Sequence, residues 1–353
     1  MSYGENNLFL YEELTRRTTD YEVVFLYKNT CKYPLHTFQE VTSIPFESYK
    51  PTELIRSAYH MATSEYVIID NYFGTLAGLP FRKQTKCIQL WHAAGAVKKF
   101  ALLAPSTYER SQKALKRFKS VYQSFHHVVV GSDHMADILK EAFELDDGRI
   151  VRTGIPRTDL FFNENSISNT LQSLYSNEPR LKKKRVILYA PTFRENELTT
   201  QSLSIDIEAF YQAFAADSIL LLKLHPAVAS SISLDEKYRD FALDYSKYPN
   251  INELLLCTDL LITDYSSIPF EYSLLERPMI FFAYDQEQYE SDPGFVKPLN
   301  EFVPGPIVHT NEELIRTIQE NNWNFEQIKE FKKSWNTYST GHSCENFWDK
   351  YLN

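Results

Sequence analysis

Residues 260–282, LLITDYSSIPFEYSLLERPMIFF, read as a strand, a polar turn, a short helix and a second strand. LLIT (260–263) and MIFFAY (279–284) are apolar and do not alternate, the pattern of parallel strands covered on both faces. Between them Asp264 ends the first strand, Ser266 and Ser267 stand where a helix would begin, and Glu271 lies one turn inside it. That is a βαβ unit, and the rest of the chain repeats its rhythm.

Working outward, candidate strands fall at 22–28, 66–70, 87–91, 127–131 and 149–154, then at 185–190 and 218–224. Helices are expected at 132–144, 205–215, 250–258, 267–276, 311–320 and 325–335. The interval 162–184 is polar without strong periodicity and reads as an inter-domain region. The 353 residues exceed what one core usually holds. Two domains are therefore expected: 1–165, with the terminal stretch 339–353 packing back on it, and 180–338. The class is α/β, doubly wound.

Composition excludes several functions. No apolar run is long enough to span a bilayer, and the start MSYGENNLFLYEELTRR has no secretory pattern. Cys31, Cys87, Cys257 and Cys344 are scattered without CxxC spacing, and Cys87 and Cys257 sit in apolar runs, so reduced core thiols are expected. The net charge is −9, yet residues 82–119 hold ten Lys or Arg against Glu109 alone. A basic island on an acidic chain suggests a local anionic partner and argues against nucleic acid.

The polar residues gather just after strands, where open α/β sheets bind ligands. Asp264, Ser266, Ser267 and Glu271 make a candidate phosphate site at a helix start, although a plain helix cap uses the same residue types. YAPTFR (189–194) offers Thr192 and Arg194, the arginine able to grip phosphate with its planar fork. LLLKLHP (220–226) offers Lys223 and His225, with Pro226 fixing the loop. In WHAAGAVKKF (91–100), His92 follows a strand and has the near-neutral titration of a general base. Ala93, Ala94 and Gly95 would let a ligand approach the backbone, and Lys98 and Lys99 add charge. No metal-ligand spacing is present.

Further along, Leu115, Phe118, Tyr122 and Phe125 share one helical face flanked by Lys113, Lys116, Arg117 and Lys119. A basic amphipathic helix of this kind can lie in a membrane interface. An ordinary surface helix packed on its own domain would carry the same pattern.

WHAAGAVKKF, LYAPTFR, LKLHP and LLITDYSSIPFEYSLLERPMIFFAYD, independent and colinear over about residues 60–300, resemble the CDP-glycerol glycerophosphotransferases of teichoic-acid synthesis. Trp91-His92 followed by Ala-Ala-Gly looks more like the primases, which add the first glycerol phosphate, than like the polymerases. The resemblance implies a GT-B-like fold, two Rossmann-like domains facing across a cleft, the first meeting acceptor and membrane and the second holding CDP-glycerol. It implies a peripheral, monotopic enzyme on the cytoplasmic face of the membrane. The acceptor would be an undecaprenyl-diphosphate-linked disaccharide, glycerol phosphate passing to its N-acetylmannosaminyl hydroxyl with release of CMP.

By position, His92 matches the family's proposed base, and His225, Arg194, Ser266 and Ser267 its donor-phosphate contacts. Asp264 and Glu271 match the surrounding nucleotide site, which Thr192 and Lys223 would complete. Trp91, Gly95, Lys98 and Lys99 are expected on the acceptor side, and Lys113, Lys116, Arg117, Phe118 and Lys119 at the membrane. No cofactor or metal is expected, and a homo-oligomer is left open. A polyol-phosphate polymerase or ribitol-phosphate transferase would share every donor motif; a sugar-nucleotide GT-B glycosyltransferase is a more distant alternative.

Overall fold

The computed structural model describes residues 5–352 apart from 19, 29–30, 32–34, 36–37, 39–40, 194–202, 226–227, 229–233 and 292. It divides into two compact units. The first comprises Met1–Ala94, Phe100–Asp159 and Trp335–Asn353; the second comprises Gly95–Lys99 and Leu160–Ser334.

The first unit holds a parallel pair, β1 (Val24–Tyr27) and β2 (Thr42–Pro45), and a four-stranded parallel sheet. The sheet runs β3 (Tyr66–Ile69), β4 (Lys86–Gln89), β5 (His127–Val129), β6 (Ile150–Val151), in chain order. Its core joins Ile88, Leu90, Val129 and Val151 to Leu10 and Leu14 of the helix Glu5–Arg17 and to Phe347 and Trp348 of the helix Ser343–Leu352. The Trp348 indole donates to the Leu10 carbonyl at 2.8 Å, so the last helix is fixed to the first. Asp159 starts that last helix by accepting from the main-chain N–H groups of Ser343 and Cys344, both at 2.9 Å. Gly154, at φ +88°, is required there, because a side chain would meet the Tyr338 carbonyl.

The second unit is a six-stranded parallel sheet in the order β12-β11-β10-β7-β8-β9. Its strands are β7 (Arg185–Tyr189), β8 (Ser218–Leu222), β9 (Ala242–Asp244), β10 (Leu260–Thr263), β11 (Met279–Phe282) and β12 (Ile307–Val308). Strands β8, β10 and β11 are buried at every position, as their unbroken apolar runs require. The chain builds outward from β7 through β8 to β9, then returns to the other side of β7 for β10, β11 and β12. The topological switch point is therefore between β7 and β10, the place where such sheets take ligands. Each unit is Rossmann-like, and the architecture is GT-B-like.

Two expectations change. The interval 162–184, expected to be an inter-domain region, belongs to the second unit, where Glu164–Asn177 is a helix capped by Asn163 and burying Leu174. Its apolar positions, Ile167, Leu171, Leu174 and Tyr175, do keep helical spacing, but the serines and asparagines between them favour turns and masked it. Residues 95–99, read as part of the first domain, group with the second unit. The cysteines Cys87, Cys257 and Cys344 are buried thiols, and burial raises the pKa of Cys87 and of Cys257 to about 12.

Candidate active site

Within the first unit, the chain leaving β4 carries His92, and Asp70 follows the neighbouring strand β3. The imidazole is partly buried, lies tilted against the Trp91 ring at 4.2 Å between centroids, and hydrogen-bonds the Asp70 main chain. Burial first, and then the charge of Arg157, hold its pKa down at about 4, against the opposing pull of Asp70. The near-neutral titration read from the sequence is thus corrected: in the resting protein the ring is a neutral, proton-accepting group throughout the physiological range. Arg157 is itself buried and ion-paired to Glu5 at 3.3 Å. Asp70 and Arg157 were missed as partners of His92, although each follows a strand, in YVIID and TGIPRTD, which was the available signal.

The expected acceptor residues are divided between the two units. Trp91 packs inside the first unit, stacked on Phe100 at 5.3 Å and edge-on to Phe143. Gly95, Lys98 and Lys99 belong to the second unit, where Lys98 bridges Phe295 and Lys99 N–H donates to the Gly294 carbonyl at 3.0 Å. Gly95 leaves room not for a ligand but for the Phe270 ring, which an added Cβ would meet at 2.3 Å. The Lys98 ammonium stands over Tyr289, 5.6 Å from the ring centre.

Within the second unit, the β7–β10 switch point is closed by a clasp. The Asp264 carboxylate accepts from Thr192 N–H at 2.8 Å, Thr192 Oγ1 at 2.7 Å and Tyr265 N–H at 2.6 Å. Both residues thereby shape the loop after β7, which fits a supporting place in the nucleotide site. Lys223 is also redirected: its ammonium donates to the carbonyls of Ser246 (2.9 Å) and Tyr248 (2.7 Å) and holds the loop after β9.

The helix start is weaker as an anion site than its sequence suggested. The helix Ile268–Tyr272 has five residues, and Pro269 contributes no N–H. The Ile268 N–H meets Ser266 Oγ, and the Phe270 N–H meets the Ser267 carbonyl. Ser266 Oγ also meets Thr263 Oγ1 at 2.8 Å. Ser267, at the N-cap, makes no capping bond with its side chain and is only partly buried. His225 is exposed after β8 and packs at a tilt against the Phe193 ring, which follows β7, at 4.5 Å between centroids. His225 and Ser267 are thus the groups best disposed toward an anion. Glu271 is buried, and Arg194 lies outside the described residues.

The basic helix, Gln112–Gln123, is capped by Ser111. Its aromatic face does not point outward: Tyr122 and Phe125 are buried, and Tyr122 stacks on Phe143 at 4.7 Å. Phe118 lies edge-on to Tyr72. Lys113, Lys116 and Arg117 are exposed, while Lys119 pairs with Glu144 at 2.6 Å. The interface-helix expectation is therefore corrected to a cationic surface without an aromatic wedge. Among the described residues, no helix is long and apolar enough to cross a membrane.

Two Rossmann-like units, the second with its switch point between β7 and β10, define a GT-B-like protein. Residues 1–351 match the family described as CDP-glycerol:poly(glycerophosphate) glycerophosphotransferase, and the chain belongs to that family. It is 37% identical over 349 residues to the teichoic acid glycerol-phosphate primase of Bacillus subtilis strain 168, covering 98% of this chain and 88% of that one. It is 36% identical over 332 residues to the teichoic acid poly(ribitol-phosphate) polymerase of Bacillus spizizenii, covering 92% of this chain and 50% of that one. A histidine-to-asparagine variant of the wall teichoic acid polymerase TagF has a similar solved structure, with TM-score 0.83, 25% identity and coverage of 98% of this chain and 84% of that one.

Proposed function

We propose that this enzyme is a teichoic acid glycerol-phosphate primase: it transfers glycerol phosphate from CDP-glycerol to a sugar hydroxyl of a diphospholipid-linked disaccharide and releases CMP. The observation that carries the reading is the similarity to a glycerol-phosphate primase over nearly the whole of both chains. The Ala-Ala-Gly after Trp91-His92 agrees with it.

The hydroxyl oxygen forms a bond to the glycerol-bearing phosphorus as the bond to the CMP oxygen breaks. Losing the hydroxyl proton is the difficult step, and His92 is the group assigned to take it. CMP leaves without a dedicated acid, because its phosphate is only weakly basic. His225 and Ser267, with Arg194, are assigned to the donor phosphates, whose charge they stabilise as it shifts during transfer. The Asp264–Thr192 clasp and Lys223 support this group by fixing the loops that carry it. Exposed Lys113, Lys116 and Arg117 are assigned to an anionic membrane surface, where a lipid-linked acceptor would be met.

The test is CMP release from CDP-glycerol with a synthetic disaccharide-diphospholipid acceptor. One glycerol phosphate added per acceptor is expected; repeated addition would make the enzyme a polymerase, a reading that similarity to the ribitol-phosphate polymerase keeps specific. His92→Ala should keep CDP-glycerol binding and lose about 10²–10⁴-fold in kcat. Unchanged kcat would make His92 structural.

A further inference from the structure

Strand β4 ends at Gln89, and within three residues the chain must turn so that His92 leaves the sheet. Trp91 makes that turn at φ +56°, a left-handed conformation that a bulky residue rarely adopts. Both polar main-chain groups of Trp91 are held by side-chain amides. Its N–H donates to Gln89 Oε1 at 2.8 Å, and its carbonyl accepts from Asn6 Nδ2 at 3.1 Å. The far ends of both amides are also tied. Gln89 Nε2 donates to the Asn71 carbonyl at 3.0 Å, and Asn6 Oδ1 accepts from the Arg157 main-chain N–H at 3.0 Å.

Gln89 is 0% exposed and Asn6 3% exposed, so these are amides that an apolar core would otherwise reject. Their connections are selective. Asn71 adjoins Asp70, whose main chain bonds the His92 ring, and Arg157 is the cation whose charge acts on that ring. The amides therefore link the turn to the two groups that set the place and charge of the imidazole.

We propose that Gln89 and Asn6 are positioning residues for His92: together they hold Trp91 in its left-handed turn and thereby fix the imidazole against Asp70 and Arg157. The proposal rests on the reading of His92 as the base. Gln89 stands as a lone amide within the apolar strand CIQLW, a mark visible in sequence; Asn6 has no such mark.

The test is a double-mutant cycle on the intact enzyme. Gln89→Met keeps side-chain length but accepts nothing from Trp91, and Asn6→Leu opens the clamp from the other end. Each should lower kcat for CMP release about 10- to 100-fold, as a misplaced catalytic group does, with the KM for CDP-glycerol within about twofold of wild type. In a His92→Ala background neither should lower the rate further, because residues acting through one group are non-additive. Near-UV circular dichroism and the thermal melt show that each variant is folded, and Asn6→Ser and Gln89→Asn are the milder replacements should either fail.

Losses that multiply in the His92→Ala background, or wild-type kcat in the single variants, would overturn the proposal while leaving the base in place. Full activity of His92→Ala would overturn the base, and the proposal with it.

Discussion

Replacing Gly95 with alanine separates two explanations for the small residues that follow His92. An ideal Cβ at this position would lie 2.3 Å from Cδ1 and Cε1 of Phe270 and 2.6 Å from Cγ. Carbon atoms rest about 3.5–4.0 Å apart, so the ring would have to retreat by about 1 Å or more. Phe270 has nowhere to go: it is 0% exposed, stacked on Phe331 at 5.3 Å and edge-on to Phe302 at 5.8 Å. The Gly95 segment is equally held, since Val296 N–H donates to the Val97 carbonyl at 2.9 Å. Overpacking of this kind costs about 1–3 kcal/mol. In a unit of this size each kcal/mol moves Tm by about 2–4 °C, so Gly95→Ala should melt roughly 2–12 °C lower. Calorimetry or circular dichroism reads the melt, and CMP release reads the chemistry. A second change, Phe270→Leu, should recover part of the loss in the Gly95→Ala background although it destabilises alone. An unchanged Tm together with a raised acceptor KM would refute the packing argument and return Gly95 to the role of admitting a ligand.

Other outcomes follow from the same geometry. His92 titrates at about 4 when folded, against 6.5 for the ordinary group, so between those values the unfolded chain binds a proton that the folded one does not. Its effect is absent above about pH 6.5 and grows on acidification toward about 3 kcal/mol of lost stability near pH 4. His92→Gln should flatten that part of the Tm–pH curve, and an unaltered slope would show a normally titrating ring. Ser267→Ala and His225→Ala should each lower kcat/KM for CDP-glycerol about 10- to 100-fold with little change in Tm, the loss of one bond to a charged phosphate. Lys223→Met should do the reverse, lowering Tm and sparing donor KM; a large rise in that KM would restore Lys223 to the donor. Lys113, Lys116 and Arg117 changed together to Glu should abolish sedimentation with anionic vesicles, each cation contributing about 1 kcal/mol. With Tyr122 and Phe125 buried, raised salt should release the wild type as well; binding that survives both changes would refute a cationic membrane surface.

The sheets were legible because burial on both faces forces apolar runs such as SILLL and LLIT, and such runs have few other uses. Strands β2, β9 and β12 were not, since Thr42–Pro45 and Ala242–Asp244 alternate weakly and Ile307–Val308 is two residues long. Strand-end residues were legible as a set for the same reason: a polar side chain breaking an apolar run stands out. What each one faces was not legible. Asp264 and Thr192 bond each other and Lys223 holds the loop after β9, a choice made by neighbours about 20–70 positions away in the chain. Tyr122 and Phe125 illustrate the same limit on a helix: spacing shows that they share a face, but only packing against Phe143 shows that the face turns inward.

The low pKa of His92 bears on when the proposed base can act. An imidazole at about 4 is always ready to accept a proton but holds it weakly, which makes it a poor base toward a sugar hydroxyl. Its leading causes are burial and the Arg157 cation, with only a main-chain hydrogen bond and the Asp70 charge opposing them. Phosphate brought near this ring by an anionic substrate would offset the arginine and favour the imidazolium, so basicity would rise on binding. Glu5, paired to Arg157 at 3.3 Å, screens part of its charge, so Glu5→Gln should lower the histidine's proton affinity further, read as a shift in its NMR titration. The Glu5–Arg157 pair and the amides around Trp91 would thus both act through one ring, that of the proposed base His92.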